Sequence, residues 1–381
     1  MNKKKILLLM ACAVGLLQSF AAAPADTVAT APRKNKLSLT PFPALFYAPE
    51  NGFGFGALVV PVYNFGDDAL TRSSSGQVLA YYTTKKQWST QLSYNIYTNR
   101  EDWVILGETR VENAPIFYYG TGNRNAEADR GLIDYKLFFT QNRILKQLKK
   151  NYFAGGQFQV NRTGRVEISP MEETGAPNLL TQRPGEELDG STVAGVGPSF
   201  LFDSRDNVLN AYQGTYVELG AYLNRESIGS EFNFNRYAVD VRKYFSLDEK
   251  SRHVLALQGR GVMETGDVPF RELAWFGGHR NMRGYYEGRY RDKQMLITQA
   301  EYRLHFAKRH GVVLFGSAGQ VAPKFSAFGL DRTKYSTGIG YRFMLNTNDR
   351  VNIRVDYAVS GSYGFFKGGA SGLYFAIGES F

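Results

Sequence analysis

The chain has 381 residues, a single cysteine, four histidines and a formal net charge of +10, which leaves no thiols for a disulfide framework or a cysteine-built metal site. The positive charge is spread along the chain rather than grouped in a patch, so it does not mark a nucleic-acid surface. Aromatic residues are plentiful, with 27 Phe, 24 Tyr and 3 Trp beside 40 Gly, yet no run after the N-terminal segment approaches the ~18 apolar residues of a membrane helix.

Residues 1–21 read as an export signal. Lys3, Lys4 and Lys5 form a basic start, Ile6 to Leu17 a short apolar stretch, and Ser19-Phe20-Ala21 a small-x-small cleavage site. A lipoprotein signal (Leu9-Met10-Ala11 before Cys12) is the competing reading, but the apolar run continues beyond Cys12. Cleavage removes the sole cysteine and lowers the charge to about +7. Residues 22–36, rich in Ala, Thr, Pro and Lys, read as a short disordered periplasmic lead.

From residue 37 onward the pattern has period two. In 351–359 every odd position is apolar, while the even ones are Asn352, Arg354, Asp356 and Ala358. In 296–306, Leu296, Ala300, Tyr302, Leu304 and Phe306 alternate with Gln299, Glu301, Arg303 and His305; in 88–98, Trp88, Leu92, Tyr94 and Ile96 alternate with Ser89, Gln91, Ser93 and Asn95. Charges on one face and aromatic-rimmed apolar residues on the other describe a wall with lipid outside and a polar lumen inside. The segments predicted as strands are 37–47, 53–65, 76–85, 87–98, 103–112, 132–145, 152–163, 191–204, 214–224, 232–245, 252–264, 295–306, 312–322, 335–345, 350–360 and 372–381. The expected fold is therefore all-β: a transmembrane antiparallel β-barrel of about sixteen strands spanning 37–381, with no internal repeat. With the N-terminus in the periplasm, the long connections 113–131, 164–190, 265–294 and 323–334 fall outside, and the short ones 99–102, 146–151, 307–311 and 346–349 face the periplasm. Phe381 is expected to end the last strand as an aromatic anchor.

The sixth outer connection holds Phe276-Gly277-Gly278-His279-Arg280-Asn281-Met282-Arg283-Gly284-Tyr285. Gly277, Gly278 and Gly284 permit tight backbone turns, and Arg283 offers a rigid fork suited to a buried carboxylate. The loop is expected to fold inward and plug the lumen. Pro41 and Pro43 lack ladder donors. They fall either in the first strand, where they would weaken its seam with a last strand containing Gly372 and Gly378, or in the lead before pairing begins.

These stretches carry a resemblance. Met282-Arg283-Gly284-Tyr285, ahead of Glu301-Tyr302-Arg303, resembles the Val-Arg-Gly-Tyr loop of the BamA-like outer-membrane barrel superfamily, which includes TamA-like proteins and the bacterial surface antigen family. Phe202-Asp203-Ser204-Arg205-Asp206-Asn207 resembles its Asp-x-Arg-Asp-Asn strand end, Phe117 to Asn123 its aromatic-Gly-x-Gly-Asn loop, and Tyr47 to Gly56 its opening hairpin. The resemblance implies that Arg283 is the plug arginine, paired with Glu301 on the inner wall beside Arg303, and that the seam acts as a lateral gate. This sequence departs from the pattern at Ser317, where the family has an aspartate.

The resemblance also implies insertion or translocation of protein or lipid at the outer membrane. Expected partners are outer-membrane lipid, unfolded outer-membrane or surface protein clients, and a separate periplasmic accessory protein, since about fifteen residues before the first strand leave no room for a POTRA repeat. A patatin-like hydrolase domain is absent too, giving a barrel-only member. A gated pore for small solutes and a structural or surface-recognition barrel are the alternatives. No Gly-x-Ser-x-Gly elbow occurs, and His305 with Ser317 is the one pair worth naming for hydrolysis. His305 and Glu301 are too few to hold a metal. No enzyme activity, cofactor or metal is expected.

Overall fold

A computed structural model describes residues 37–48, 52–65, 71–113, 115–125, 130–169, 188–362 and 370–381; the signal and lead expected over 1–36, and Pro49, Glu50 and Asn51 of the opening hairpin, lie outside them. Sixteen strands form one antiparallel sheet in strict chain order. They are β1 (Ser38–Ala48), β2 (Gly52–Tyr63), β3 (Ser74–Thr83), β4 (Trp88–Tyr97), β5 (Trp103–Asn113), β6 (Lys136–Lys149), β7 (Tyr152–Thr163), β8 (Ser191–Asp203), β9 (Gly214–Asn224), β10 (Phe234–Ser246), β11 (His253–Gly266), β12 (Gln294–Ala307), β13 (His310–Ala322), β14 (Lys334–Asn346), β15 (Val351–Ser362) and β16 (Ser371–Ile377).

Period-two alternation sorts the two faces of this wall. Glu301, Arg303, Arg342, Arg354 and Asp356 are buried toward the lumen, whereas Leu296, Leu314, Ile339, Tyr357 and Phe375 stand about half exposed on the outer face. A belt of bare Leu, Ile and aromatic side chains around an entire sheet is solvated by acyl chains, and the fold is a transmembrane β-barrel. Connections 267–293 and 323–333 leave the wall at one end, the loop end, and 150–151, 247–252 and 308–309 turn at the other, the turn end.

Two strands differ from the sequence reading by more than two residues at a boundary. The sixth strand, expected over 132–145, runs Lys136–Lys149, because Gly131–Asp134 leaves the wall. It pairs instead with Ile116–Tyr118 and Glu167–Ser169 in a three-stranded sheet at the loop end. Extended, alternating sequence continues through both pieces, so period alone does not separate wall from loop. The last strand, expected over 372–381, ends at Ile377, where Gly378 takes a φ of +77°. Continued straight, β16 would aim Glu379 and Phe381 at lipid, the face of Leu373 and Phe375. Turning at Gly378 puts the Glu379 carboxylate against Arg342 Nε at 2.9 Å instead. Phe381 is thus no outer anchor; it is buried in the lumen with Ala211, Tyr244 and Ala256.

The two ends of the sheet meet through side chains. Phe42 of β1, Val60 and Val62 of β2, Val351 of β15 and Ile377 of β16 share one apolar cluster with Leu209. Among the described residues no hydrogen-bonded ladder joins β1 to β16. Leu209 belongs to the β8–β9 connection, 204–213, which reaches from its own strands to this seam. It is pinned by Arg350 Nη1 to Asp206 Oδ2 (2.6 Å) and by Arg303 Nη1 to the Ala211 carbonyl (3.4 Å).

Candidate functional site

The connection between β11 and β12, residues 267–293, enters the lumen. Ala274–Phe276 and Tyr290–Asp292 pair as its neck, and the tip lies between them. Two glycines make the tip possible. Gly277 has φ +119°, and a Cβ there would collide with the Tyr286 carbonyl; Gly284 has φ +107°, with Val359 and Ser360 of β15 about 3.1 Å from where a Cβ would stand. A side chain at either position would carry left-handed strain and push the tip off the wall. Phe276, Met282, Tyr285 and Tyr290 form an apolar cluster with Met295, Ile297 and Val321 of β12 and β13. Gly319 leaves the space that the Met282 sulfur fills.

Polar bonds then fix the tip to the wall. Met282 N donates to Gln299 Oε1 at 3.0 Å, Gly284 N to Tyr374 Oη at 2.8 Å, and Ser360 Oγ to the Gly284 carbonyl at 3.0 Å. Tyr285 Oη sits beside the Gly361 carbonyl and accepts the Gly361 amide at 3.1 Å. Gly278 N closes the tip on the Tyr285 carbonyl at 2.9 Å.

Arg283, 1% exposed, is the centre of the site. Its Nη2 donates to Glu301 Oε1 on β12, its Nη1 to Asp356 Oδ2 on β15 at 2.6 Å, and its guanidinium lies 3.5 Å from the Phe315 ring centre on β13. Asp356 also receives Arg342 at 2.5 Å and Arg354 at 3.0 Å. Glu301 receives Arg303 Nε at 2.9 Å, and Arg354 Nη2 donates back to the loop at the His279 carbonyl, 3.0 Å. Glu379 extends the chain of charges through Arg342 to Asn352. Four guanidiniums and three carboxylates, all buried, thus form one connected network in which every carboxylate faces at least one arginine. Removing one member leaves the rest buried and unbalanced, a loss of ~3–5 kcal/mol where buried pairs are broken.

The sequence reading named Glu301 and Arg303 as lumen partners of the loop. Glu301 touches Arg283 directly; Arg303 acts on Glu301 and on the carbonyls of Ala211 and Phe381 rather than on the loop. Asp356 was missed. Its inward parity on β15 was visible in the sequence, but nothing local says that β15 lies against the loop. Ser317, where an aspartate would stand, bonds Ser336 Oγ at 2.5 Å, and the second carboxylate on Arg283 comes from two strands away. His305 bonds the Ser251 carbonyl at 3.2 Å and packs on Tyr212. It faces Gly311 on the ladder while Ser317 faces Gln299, so the structure does not bring this pair together.

Asp203, Arg205 and Asp206 gather at the turn end. Arg205 grips Asp203 with Nε and Nη2, both at 2.9 Å, and Asp203 also receives Arg72 at 2.8 Å. Asp206 holds the 204–213 connection through Arg350 and through the amides of Tyr212 and Gln213.

Pro41 and Pro43 lie inside β1, opposite Val59 and Ala57 of β2, not in the lead. Their orientation follows from the ladder. Thr84 N donates to the Phe53 carbonyl at 2.8 Å, so Phe53, and with it the odd residues of β2, point their backbone groups at β3. Pro41 and Pro43 pair with odd residues and therefore sit at non-hydrogen-bonded positions, with their nitrogens turned away from β2 toward the seam. Pro61, also odd, interrupts the β2–β3 register between Val59 and Val62, as a missing donor on that side would.

A model of the Omp85 superfamily domain matches residues 70–381. Among solved structures the chain is similar to BamA from Haemophilus ducreyi lacking POTRA domains 1-3, with 13% identity and a TM-score of 0.56 over 91% of this chain and 70% of that one. It is similar also to CdiB from Acinetobacter baumannii, with 11% identity and a TM-score of 0.56 over 91% of this chain and 65% of that one. The chain thus spans about two thirds of the length of these structures, and at such identities the likeness is one of fold. No curated protein sequence matches it.

Proposed function

Because the chain belongs to the Omp85 superfamily, we propose that this barrel of the bacterial outer membrane inserts or translocates protein or lipid through the seam between β1 and β16, with the arginine-locked loop as the plug of its lumen. The observation that carries this reading is the seam itself. β16 has seven residues beside the twelve of β15. Pro41 and Pro43 remove two donors from the edge of β1 that faces it, and Gly378 turns the chain out of the wall. Each backbone hydrogen bond not made forgoes ~0.5–1.5 kcal/mol, so this junction is the cheapest in the wall to open. An open edge of β1 offers backbone groups to an incoming strand, and the apolar cluster beneath it can part without leaving buried polar groups unpaired. A separate periplasmic protein would deliver the client. A wide passive pore is disfavoured by the loop at one end of the lumen and the 204–213 connection at the other.

The test is a deletion strain whose outer-membrane proteome and surface lipids are compared with the parent, complemented with the wild-type chain or with the Pro41→Val/Pro43→Val variant. Loss of a defined set of barrels, surface proteins or lipids is expected, restored by the wild type and poorly by a folded variant whose seam can close. An unchanged membrane, or full rescue by that variant, would overturn the seam mechanism.

A further inference from the structure

The β13–β14 connection, 323–333, carries the most exposed large apolar side chain among the described residues, Leu330 at 79%, and a second, Phe325, at 61%. Elsewhere at the loop end Phe117, Tyr118, Phe270 and Phe276 are buried, so bare apolar groups are not the habit of these connections. We propose that the 323–333 connection leans over the outer face of the wall and seats Leu330 and Phe325 in the lipid leaflet at the loop end, as an apolar foot of the barrel.

The ladder shows which way the connection leans. Even-numbered residues of β13 share the lipid face with Leu314, and Gln320 is paired with Leu296 of β12, which stands on that same face. Gly319, the residue before it, faces the plug loop's Met282 instead. The Gln320 side chain is therefore directed outward, and it holds the connection at two points. Gly329 N donates to its Oε1 at 3.0 Å, and its Nε2 donates to Thr333 Oγ1 at 2.9 Å. Gly329 and Thr333 bracket Leu330, which is thus carried beside the apolar belt rather than over the lumen. The backbone suits such surroundings. Phe325–Ala327 and Leu330–Arg332 are single 3-10 turns. Ala327 N and Phe328 N donate to the carbonyls of Lys324 and Phe325 at 3.0 and 3.1 Å, and Arg332 N and Thr333 N to those of Gly329 and Leu330 at 3.0 and 3.1 Å. Arg332 Nη1 donates to the Ala327 carbonyl at 3.0 Å. Groups bonded within the segment give up few water partners on entering lipid. Lys324, Asp331 and Arg332 stand exposed beside the two apolar side chains, the polar edge that an interfacial segment keeps among the headgroups. Lipid is the occupant that the position selects, because the foot continues the belt that Leu296 and Tyr335 form at the loop ends of β12 and β14.

The barrel is reconstituted in nanodiscs, one copy per disc, with the environment-sensitive dye NBD attached at Leu330→Cys or Phe325→Cys in a Cys12→Ser background. Leu296→Cys, on the lipid face of β12, and Lys250→Cys, in the 247–252 turn, supply the reference signals. At both foot positions the emission is expected to shift to the blue, and lipids doxyl-labelled near the headgroup should quench it to the extent seen at Leu296. Heat-modifiable migration on gels verifies that each labelled variant is a folded barrel, and a single copy per disc excludes a second chain as the cover. Solvent-like emission at either position, matching Lys250, would overturn the proposal and leave the foot to water or to a protein partner. Blue emission without lipid quenching, the mark of a contact within the protein, would overturn it as well.

Discussion

A guanidinium presents its donors in one plane, and Arg283 uses the two terminal nitrogens to span carboxylates on strands three apart in the wall, β12 and β15. A lysine ammonium reaches one of them but not both while keeping the flat contact with Phe315. Arg283→Ala is expected to free the loop and cost ~3–5 kcal/mol, read as new protease cleavage within 267–293 and a lower unfolding temperature. Arg283→Lys should fall between that and the wild type. Gly284→Ala tests the backbone separately: forcing a side chain into φ +107° should cost ~1–2 kcal/mol and loosen the loop with every charge still present. Equal protease resistance in Gly284→Ala and wild type would mean that the arginine alone holds the loop.

Among elements, the seam strands and the turns behave differently. β1 and β16 are joined by an apolar cluster and carry two prolines and a glycine turn, whereas the β10–β11 turn, 247–252, is tightly bonded. Asp248 accepts the His253 amide at 2.9 Å and Arg252 Nε at 3.2 Å. The His253 amide first, and Arg252 after it, hold the Asp248 carboxyl below its ordinary 3.8. A carboxyl with a depressed value stabilises the turn above its ordinary pKa, and that contribution is lost as pH falls through the lowered one. Amide exchange at His253 should therefore accelerate in acid beyond the trend of neighbouring amides, and Asp248→Asn should abolish that step. An unchanged pH profile in the variant would show that the carboxylate does not hold the turn.

For the whole molecule, the lumen is obstructed from both ends. The plug loop enters from the loop end, and Leu209 to Ala211 of the β8–β9 connection lie against the seam cluster and Phe381 at the turn end. Single-channel conductance in planar bilayers should be small for the wild type. It should rise on deleting the loop tip, 277–289, and rise further when 204–213 is also shortened. A large conductance in the intact protein would favour a solute pore. The connections at the loop end form a layer of their own, with Tyr118 against Phe270 and Phe117 against Tyr286.

Alternation by itself determined the strand count, the inner and outer faces and the even, antiparallel order, because a two-residue period is a local property that each segment carries within its own length. The glycines and Arg283 of the plug loop were legible for the same reason: a tight turn and a forked cation are written in adjacent residues. Tertiary structure alone decided that Asp356 is the second carboxylate on Arg283, that Gly131–Asp134 belongs to an outer sheet and that Phe381 points into the lumen. These outcomes depend on which distant strands close against one another. Glu379 turns inward because Arg342, thirty-seven residues earlier, stands across from it, and no window of sequence contains both. The prolines show the division within a single feature: their missing donors are a fact of sequence, but that the gap faces the seam is set by the register of β1 on β2.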